Sequence, residues 1–213
     1  MIQKEIIVLA KSSKHSEYCI AGIDTTTGEW VRPVSDNISS EGAVPLEQIT
    51  YQDGSELQVL DIVSIQFIKP VPTKSQPENY LYDPDHCWVK TGHATIEEVI
   101  QKRGYDDVEE IFYNTDKVVS EEEIDYSPSL LLLRVENPKI YIKTFESQKI
   151  DLNFKYRNTW YNFFRISDIQ IKQQYTDKED GKYSCGISRI VVLSLTGKYE
   201  GSGKYYKMVA HIF

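Results

Sequence analysis

Short segments in which hydrophobic and polar residues alternate make up most of this chain, and they predict β-strands. Residues 6–10 form an apolar segment that runs into a polar loop, and a second β-prone segment covers residues 18–24. The turn-prone residues 25–28 separate it from a short segment, 29–32, so a hairpin is expected there. In residues 57–68 the apolar positions again follow a period of two, which indicates a long strand.

One helix interrupts this pattern in the first half, at residues 95–103. Thr95 can cap it, Glu98 lies at the capping-box position, and Gly104 can end it. The second half is nearly all β-strand by pattern, with candidates at residues 130–135, 139–145, 149–156, 160–171, 186–195 and 204–213. Five or six strands in about 85 residues fit a small barrel or sandwich. We expect a boundary near residues 117–128, with a first domain at 1–120 and a second at 128–213.

Composition indicates an ordinary globular chain and excludes a membrane span. The 213 residues are 40% hydrophobic and 26% charged, and no apolar run approaches the roughly 18 residues that a span needs. The first residues lead directly into a strand and lack a signal-peptide pattern. Cys19, Cys87 and Cys185 are too few and too distant to pair fully, which favours a reducing compartment. We therefore expect a cytoplasmic protein without membrane contact.

The net charge of −8 argues against indiscriminate binding of polyanions, but the charge is unevenly distributed. Residues 1–77 hold 6 basic and 10 acidic residues, residues 78–126 hold 4 and 14, and residues 127–213 hold 14 and 8. The middle of the chain is therefore acidic and the C-terminal part is basic. This asymmetry favours the C-terminal part as a surface for nucleic acid.

The first hairpin offers one group of candidate ligand-binding residues. Lys11 and Lys14 lie in its entry loop, and Trp30 and Arg32 are two residues apart, so they share one strand face. An exposed ring beside a guanidinium can hold a base and a phosphate. The alternative is that Trp30 belongs to the core and Arg32 is a solvated edge charge.

Aromatic and basic residues also interleave through the second half, from Tyr141 to Lys207. In single-strand binders, rings stack on bases while lysine and arginine follow the phosphates. Alternation sends about half of these rings into a core, so the residues expected at the surface are those near turns: Tyr156, Arg157, Trp160 and Tyr161. The alternative is structural packing with a solvated basic face.

Several segments match a known pattern along the whole chain. Its first block is a lysine-rich loop, a Cys-x-Ala-Gly-x-Asp strand and a Trp-x-Arg-Pro-Val segment, represented by Lys11, Lys14, Cys19, Ala21, Gly22, Asp24, Trp30, Arg32, Pro33 and Val34. Further matches are residues 60–63, Gln76-Pro77-Glu78-Asn79-Tyr80, and Tyr156 with Trp160-Tyr161 and Ser167-Asp168. Ser167, where threonine is usual, and the acidic insert 105–126 depart from the pattern. With these motifs the sequence resembles the bacterial dual-OB domain family.

The resemblance implies a mainly β fold of two small OB-like barrels in tandem, with one short helix inserted in the first half. It also implies a role linked to nucleic acid, as an accessory component of bacterial defence systems. Our leading hypothesis is a non-catalytic module that binds single-stranded DNA, RNA or a nucleotide. The expected ligand groove combines Lys11, Lys14, Trp30 and Arg32 with Arg157, Trp160 and Lys207, and the polar pair Glu78-Asn79 is a further candidate.

Two other classes of function stay open. An adaptor could dock a basic protein partner through the acidic segment 78–126. An enzyme acting on nucleotides or phosphodiesters could use Glu78, Asp24 or His15, although no recognisable catalytic arrangement surrounds them. Asp85-His86-Cys87 with His93 lacks the paired spacing of a zinc site, so no metal and no cofactor are expected.

Overall fold

The computed structural model describes the backbone of residues 1–14 and 16–213, and their side chains except those of Lys14 and Ile38. His15, a candidate of the enzyme hypothesis, lies outside the described residues. The chain divides into two compact units. The first comprises residues 1–73 and 77–104, and the second comprises residues 74–76 and 105–213.

The first unit is a closed five-stranded barrel with one additional strand and one helix. Its elements are β1 (Ile2–Lys14), β2 (Glu17–Asp24), β3 (Trp30–Val34), β4 (Asp61–Pro70), β5 (Asn79–Tyr82), β6 (Val89–His93) and α1 (Ile96–Arg103). The strand order is β1-β2-β3-β5-β4, β4 pairs back with β1, and β6 extends the sheet on β4. Ile6, Val8, Ile20, Val63 and Phe67 are among the fully buried side chains of its core.

Gly22 permits β1 and β2 to approach each other closely. The register between these strands shifts between Val8, which pairs with Gly22, and Ala10. A Cβ atom at Gly22 would lie 2.3 Å from the Ile7 oxygen, far inside van der Waals contact. The glycine of the Cys-x-Ala-Gly-x-Asp motif is therefore required by the packing of this barrel.

Helix α1 is confirmed with the predicted capping box. The Thr95 hydroxyl accepts a hydrogen bond from the Glu98 amide at 3.2 Å, and the Glu98 carboxylate accepts one from the Thr95 amide at 2.7 Å. Gly104 ends the helix with φ of 77°. The Arg103 Nε atom donates to the Gly28 carbonyl at 2.9 Å, which fastens the helix end to the turn between β2 and β3.

The second unit is also a closed five-stranded barrel. Its elements are β7 (Val118–Val119), β8 (Leu130–Thr144), β9 (Gln148–Tyr156), β10 (Thr159–Ile166), α2 (Ile169–Tyr175), β11 (Gly181–Ser184), β12 (Ser188–Leu195) and β13 (Tyr205–Ile212). The strand order is β8-β9-β10-β13-β12, and β12 pairs back with β8 to close the barrel. In addition, β11 pairs with β8 and β7 pairs with β13. Two OB-like barrels in tandem are thus confirmed.

The second unit contains a helix that the sequence pattern did not predict. The pattern of residues 160–171 predicts one continuous strand. In the structure β10 ends at Ile166 and α2 follows. Asp168 is the cause, because its carboxylate accepts a hydrogen bond from the Ile171 amide at 2.8 Å and caps the helix. The single helix expected in the first half is therefore joined by a second one here.

The acidic insert belongs to the second unit. Ile111, Phe112, Val119 and Ile124 are buried in the core of the second barrel. Because these four residues are apolar positions within a strongly charged segment, the segment is held by burial and not left in solvent. The unit boundary near residue 104 thus differs from the expected division into 1–120 and 128–213.

Candidate nucleic-acid interface

Of the two lysines of the first hairpin, Lys11 is held by contacts within the protein. The Lys11 ammonium donates to the Glu56 carboxylate and to the Leu57 carbonyl, both at 3.0 Å, and its side chain is 12% exposed. It also lies 5.0 Å from the centre of the Tyr18 ring. The side chain of Lys14 lies outside the described part of the structure.

Trp30 and Arg32 are both buried. They therefore do not form the exposed binding site for a base and a phosphate that the sequence predicted. The Arg103 guanidinium lies 5.0 Å from the Trp30 ring centre, so this ring makes a cation–π contact within the protein. Arg32 forms an ion pair with Glu78, with its Nη2 atom 3.0 Å and its Nε atom 3.2 Å from one carboxylate oxygen.

Glu78 and Asn79 join strands of the first barrel. The Arg32 amide donates to the Glu78 carbonyl at 2.9 Å, and the parallel pairing of β3 with β5 places Arg32 opposite Asn79. The Asn79 carbonyl accepts from the Val71 amide at 2.9 Å, and both polar side chains are buried. The polar pair therefore holds the sheet together and offers no surface to a ligand.

In the second unit, two predicted surface tyrosines are core residues. Tyr156 and Tyr161 are 9% and 1% exposed. The Tyr156 hydroxyl donates to the Val108 carbonyl at 3.0 Å, and the Tyr161 hydroxyl accepts from the Ile111 amide at 3.3 Å. Both hydroxyls thus bind the chain's own acidic segment.

Lys207 binds the same segment from inside the barrel. Its ammonium is buried and donates to the Ile111 and Asn114 carbonyls at 2.6 Å each and to the Asn114 side-chain oxygen at 2.8 Å. Burial lowers the pKa of Lys207 to about 8. Trp30, Arg32 and Lys207 cannot line a ligand groove, because each is more than 90% buried.

Arg157 and Trp160 reach the surface, as expected, beside the hairpin turn between β9 and β10. Arg157 and Asn158 form this two-residue turn with φ of 45° and 68°, the geometry that suits the twist of a hairpin. The Arg157 guanidinium pairs with Asp107, and its side chain is 43% exposed. Trp160 is 46% exposed and lies opposite Lys155 on β9.

Trp160 belongs to a larger exposed surface, which we call the outer face of the second barrel. It is formed by the outward side chains of β8, β9, β10 and β11: Lys139, Tyr141, Lys143, Lys149, Asn153, Lys155, Trp160, Phe163, Arg165 and Lys182. The neighbouring positions Ile140, Ile142, Leu152 and Phe154 are buried in the core. Alternation along residues 139–143 of β8 and 149–155 of β9 thus separates the two sets.

The outer face is positively charged. Six of its side chains are basic, and three carboxylates lie with them: Glu136 and Asp151 on the strands and Asp180 beside Lys143. Asp151 is bound by the Arg165 Nε atom at 2.5 Å, and Asp180 lies 3.6 Å from the Lys143 ammonium. Lys139, Lys149, Lys155 and Lys182 have no ion pair with any residue that the structure describes.

Aromatic rings alternate with these cations. The rings of Tyr141 and Phe163 meet edge to face, with centres 5.3 Å apart, and Phe163 is 44% exposed. The Lys182 ammonium lies 5.8 Å from the Tyr141 ring centre. At the end of β8, Phe145 is 66% exposed, with the ammonium groups of Lys143 and Lys149 5.7 and 5.3 Å from its ring.

The sequence pattern included several of these residues among its interleaved rings and cations. As surface candidates, however, we selected only the residues near turns. Period-two alternation could have identified Tyr141 and Lys143, because Ile140 and Ile142 flank them and must point inward. Phe163 could not be found in this way. An irregularity between Tyr161 and Phe164 breaks the alternation of β10 there.

Polar clusters in the first unit are satisfied within the protein. Asp61 is fully buried and binds Tyr51, Lys90 and His93 at 2.9, 2.6 and 3.2 Å. Burial alone would raise the pKa of Asp61, but these contacts outweigh it and hold the pKa below its ordinary value.

Asp24 is bound by the Lys4 ammonium at 2.7 Å and by two turn amides.

Among the described residues, no group of three or more metal-ligating side chains could hold a metal ion. In that same part of the chain, every helix is too short or too polar to cross a bilayer.

Comparison with known families decides the relationship of this chain. The model of the family described as "Dual OB-containing domain" matches residues 4–212. The chain belongs to this dual-OB family. No curated protein matches the dual-OB chain.

Three solved structures align with the dual-OB chain over nearly its full length. The p204 HINb domain is 10% identical with a TM-score of 0.39, covering 98% of this chain and 96% of that one. A murine DNA-binding protein bound with double-stranded DNA is 8% identical (TM-score 0.35; 99% and 96% covered). The tetrameric p202 HIN2 is 9% identical (TM-score 0.30; 100% and 90% covered). These scores are below 0.5 and carry no conclusion about this chain.

Proposed function

We propose that this protein is a non-catalytic module that binds single-stranded nucleic acid on the outer face of its second barrel. The observation that carries the proposal is the alternation of exposed rings with cations on one sheet surface. Tyr141, Trp160 and Phe163 provide the rings, and four of the lysines beside them have no carboxylate partner among the described residues: Lys139, Lys149, Lys155 and Lys182. OB folds bind oligonucleotides across such a sheet face.

An unpaired strand fits this surface better than a duplex. A ring can stack on a base only when the base is free of its partner strand, and each such stack contributes about 1–3 kcal/mol. The lysines lie between the rings. The phosphates of a nucleic-acid strand that crosses β8, β9 and β10 would pass close to them. The net charge of −8 does not oppose binding, because fields beyond about 10 Å are screened at moderate salt.

Fluorescence anisotropy with labelled 12-nucleotide DNA and RNA, measured at several salt concentrations, tests the proposal. Each phosphate contact in a single strand contributes about −0.7 to the slope of log affinity against log salt. The double variant Lys149→Ala with Lys155→Ala should therefore reduce the slope by about 1.4. The matched control is Lys69→Ala with Lys117→Ala, two exposed lysines outside the outer face, which should leave the slope unchanged.

Absence of binding at low salt, or an equal effect of both double variants, would refute the proposal. The acidic segment would then be tested as a docking site for a basic protein partner. Catalysis has less support, because Asp24 and Glu78 are both held in ion pairs. A cytoplasmic location is proposed because the three cysteines are too few and too distant to pair fully. The role as an accessory component of a bacterial defence system is proposed on the family resemblance alone, and co-purification of a nuclease or helicase partner would test that role.

A further inference from the structure

A bulge in β10 places Phe163 in a strained backbone conformation. Tyr161 pairs with Phe154 and Phe164 pairs with Leu152, so two residues of β10 lie opposite Asn153 alone. Phe163 has φ of 61°, in the left-handed region that residues with a Cβ atom rarely adopt. Bulges redirect side chains, and strain of this kind is retained where the surroundings or a function require it.

The strain produces an exposed aromatic corner. Phe163 on β10 reaches across β9 to Tyr141 on β8, and the two rings meet at 78° with their centres 5.3 Å apart. Two nearly perpendicular ring faces can hold a flat group, which stacks on one ring and directs its edge at the face of the other. Phe163 is 44% exposed, so part of its side chain is accessible to a ligand.

Asn153 supplies a hydrogen-bond donor beside this corner. Its side-chain oxygen accepts from the Phe163 amide at 2.8 Å, and this contact determines which way the amide group faces. The Asn153 Nδ2 atom has no acceptor among the residues that the structure describes. It is therefore available to donate to a carbonyl oxygen of a ligand.

We propose that Tyr141, Phe163 and Asn153 form a subsite for one unpaired nucleobase that carries a carbonyl group. Thymine, uracil, guanine and cytosine each carry such an oxygen, whereas adenine carries none. The subsite rests on the proposed function and deepens it, because it predicts which bases the outer face prefers. The Lys182 ammonium near Tyr141 would face the phosphate of the same nucleotide.

Phe163→Gly separates this role from a structural one. Glycine adopts positive φ without strain, so the variant should be at least as heat-stable as the parent protein. Affinity for a 12-nucleotide thymidine strand should fall at least roughly fivefold, the loss expected for one weak base stack. Tyr126→Gly is the matched control, because Tyr126 is 62% exposed, has φ of 70° and lies outside the outer face. It should bind as tightly as the parent.

The ratio of affinities for thymidine and adenosine 12-mers tests the role of Asn153. Asn153→Asp keeps the acceptor for the Phe163 amide but removes the donor, so the preference for thymidine should disappear. The added charge repels the phosphates of both strands, and the new acceptor can bind the adenine amino group, so the ratio of thymidine to adenosine affinity should fall to about 1 or below. A parent protein that binds neither strand refutes the proposed function. Salt-dependent binding that Phe163→Gly leaves intact, or an unchanged ratio in Asn153→Asp, refutes only the subsite.

Discussion

Replacing Lys207 by methionine should destabilise the second barrel and leave oligonucleotide affinity unchanged. The ammonium is 1% exposed and donates to three oxygen atoms of Ile111 and Asn114 at 2.6–2.8 Å. Methionine fills a similar volume but donates no hydrogen bond. The two carbonyl oxygens would then be left without this donor, although the apolar packing of residue 207 would be largely kept.

The magnitude follows from these contacts. Each buried acceptor that loses its partner costs about 1–3 kcal/mol, so two carbonyls cost about 2–6 kcal/mol. Methionine also removes a buried charge. The pKa of Lys207, about 8 against an ordinary 10.5, places the cost of that charge at about 3 kcal/mol near neutral pH. The midpoint of the first cost less the second leaves an expected net loss of about 1 kcal/mol at pH 7.

The loss should grow with pH. The folded pKa of Lys207 is lower than the unfolded one, so the unfolded chain binds more protons between pH 8 and 10.5. Stability from this group therefore rises with pH across that window, while the full cost of the charge is present below pH 8. The parent protein should gain about 2 kcal/mol between pH 7 and 10 relative to Lys207→Met.

Urea unfolding of both proteins, followed by circular dichroism at pH 7 and at pH 10, measures this difference. Tyrosine titration affects the parent and the variant equally and cancels. A stability difference that is the same at both pH values would show that burial does not perturb the Lys207 ammonium. A loss of oligonucleotide affinity in a folded variant would show that Lys207 contacts the ligand, contrary to its position in the structure.

Three further substitutions test contacts that the fold depends on. Glu78→Gln leaves the buried Arg32 guanidinium without its carboxylate and should cost about 3–5 kcal/mol in urea unfolding, with unchanged oligonucleotide affinity. Gly22→Ala places a Cβ atom within 2.3 Å of a carbonyl and should lower the melting temperature strongly, whereas Gly197→Ala, which meets nothing within 4 Å, should not. Thr95→Ala removes a helix cap and should cost about 1 kcal/mol, visible as faster amide exchange in α1.

Local patterns were sufficient to predict most elements of this fold. Alternation identified the strands because one face of each must be buried, and Thr95 with Glu98 identified α1 because a helix start needs acceptors for its free amides. The end of β10 was missed. An apolar run across residues 160–171 gives the same signal whether it continues as a strand or turns into a helix capped by Asp168.

The candidate site was predicted less well because exposure depends on contacts between distant parts of the chain. Arg32 and Lys207 have the residue types of a phosphate site, yet each is used inside the protein by a partner 46 or more residues away. Phe163 lies on the surface only because a bulge interrupts its strand.

By itself, therefore, the sequence determined two β-barrels of the dual-OB family and a C-terminal half rich in rings and cations. Only the tertiary structure decided which of those side chains face solvent. Strand pairing, bulges and buried ion pairs assign each side chain to one side of the sheet, and none of these is encoded in a local stretch of residues.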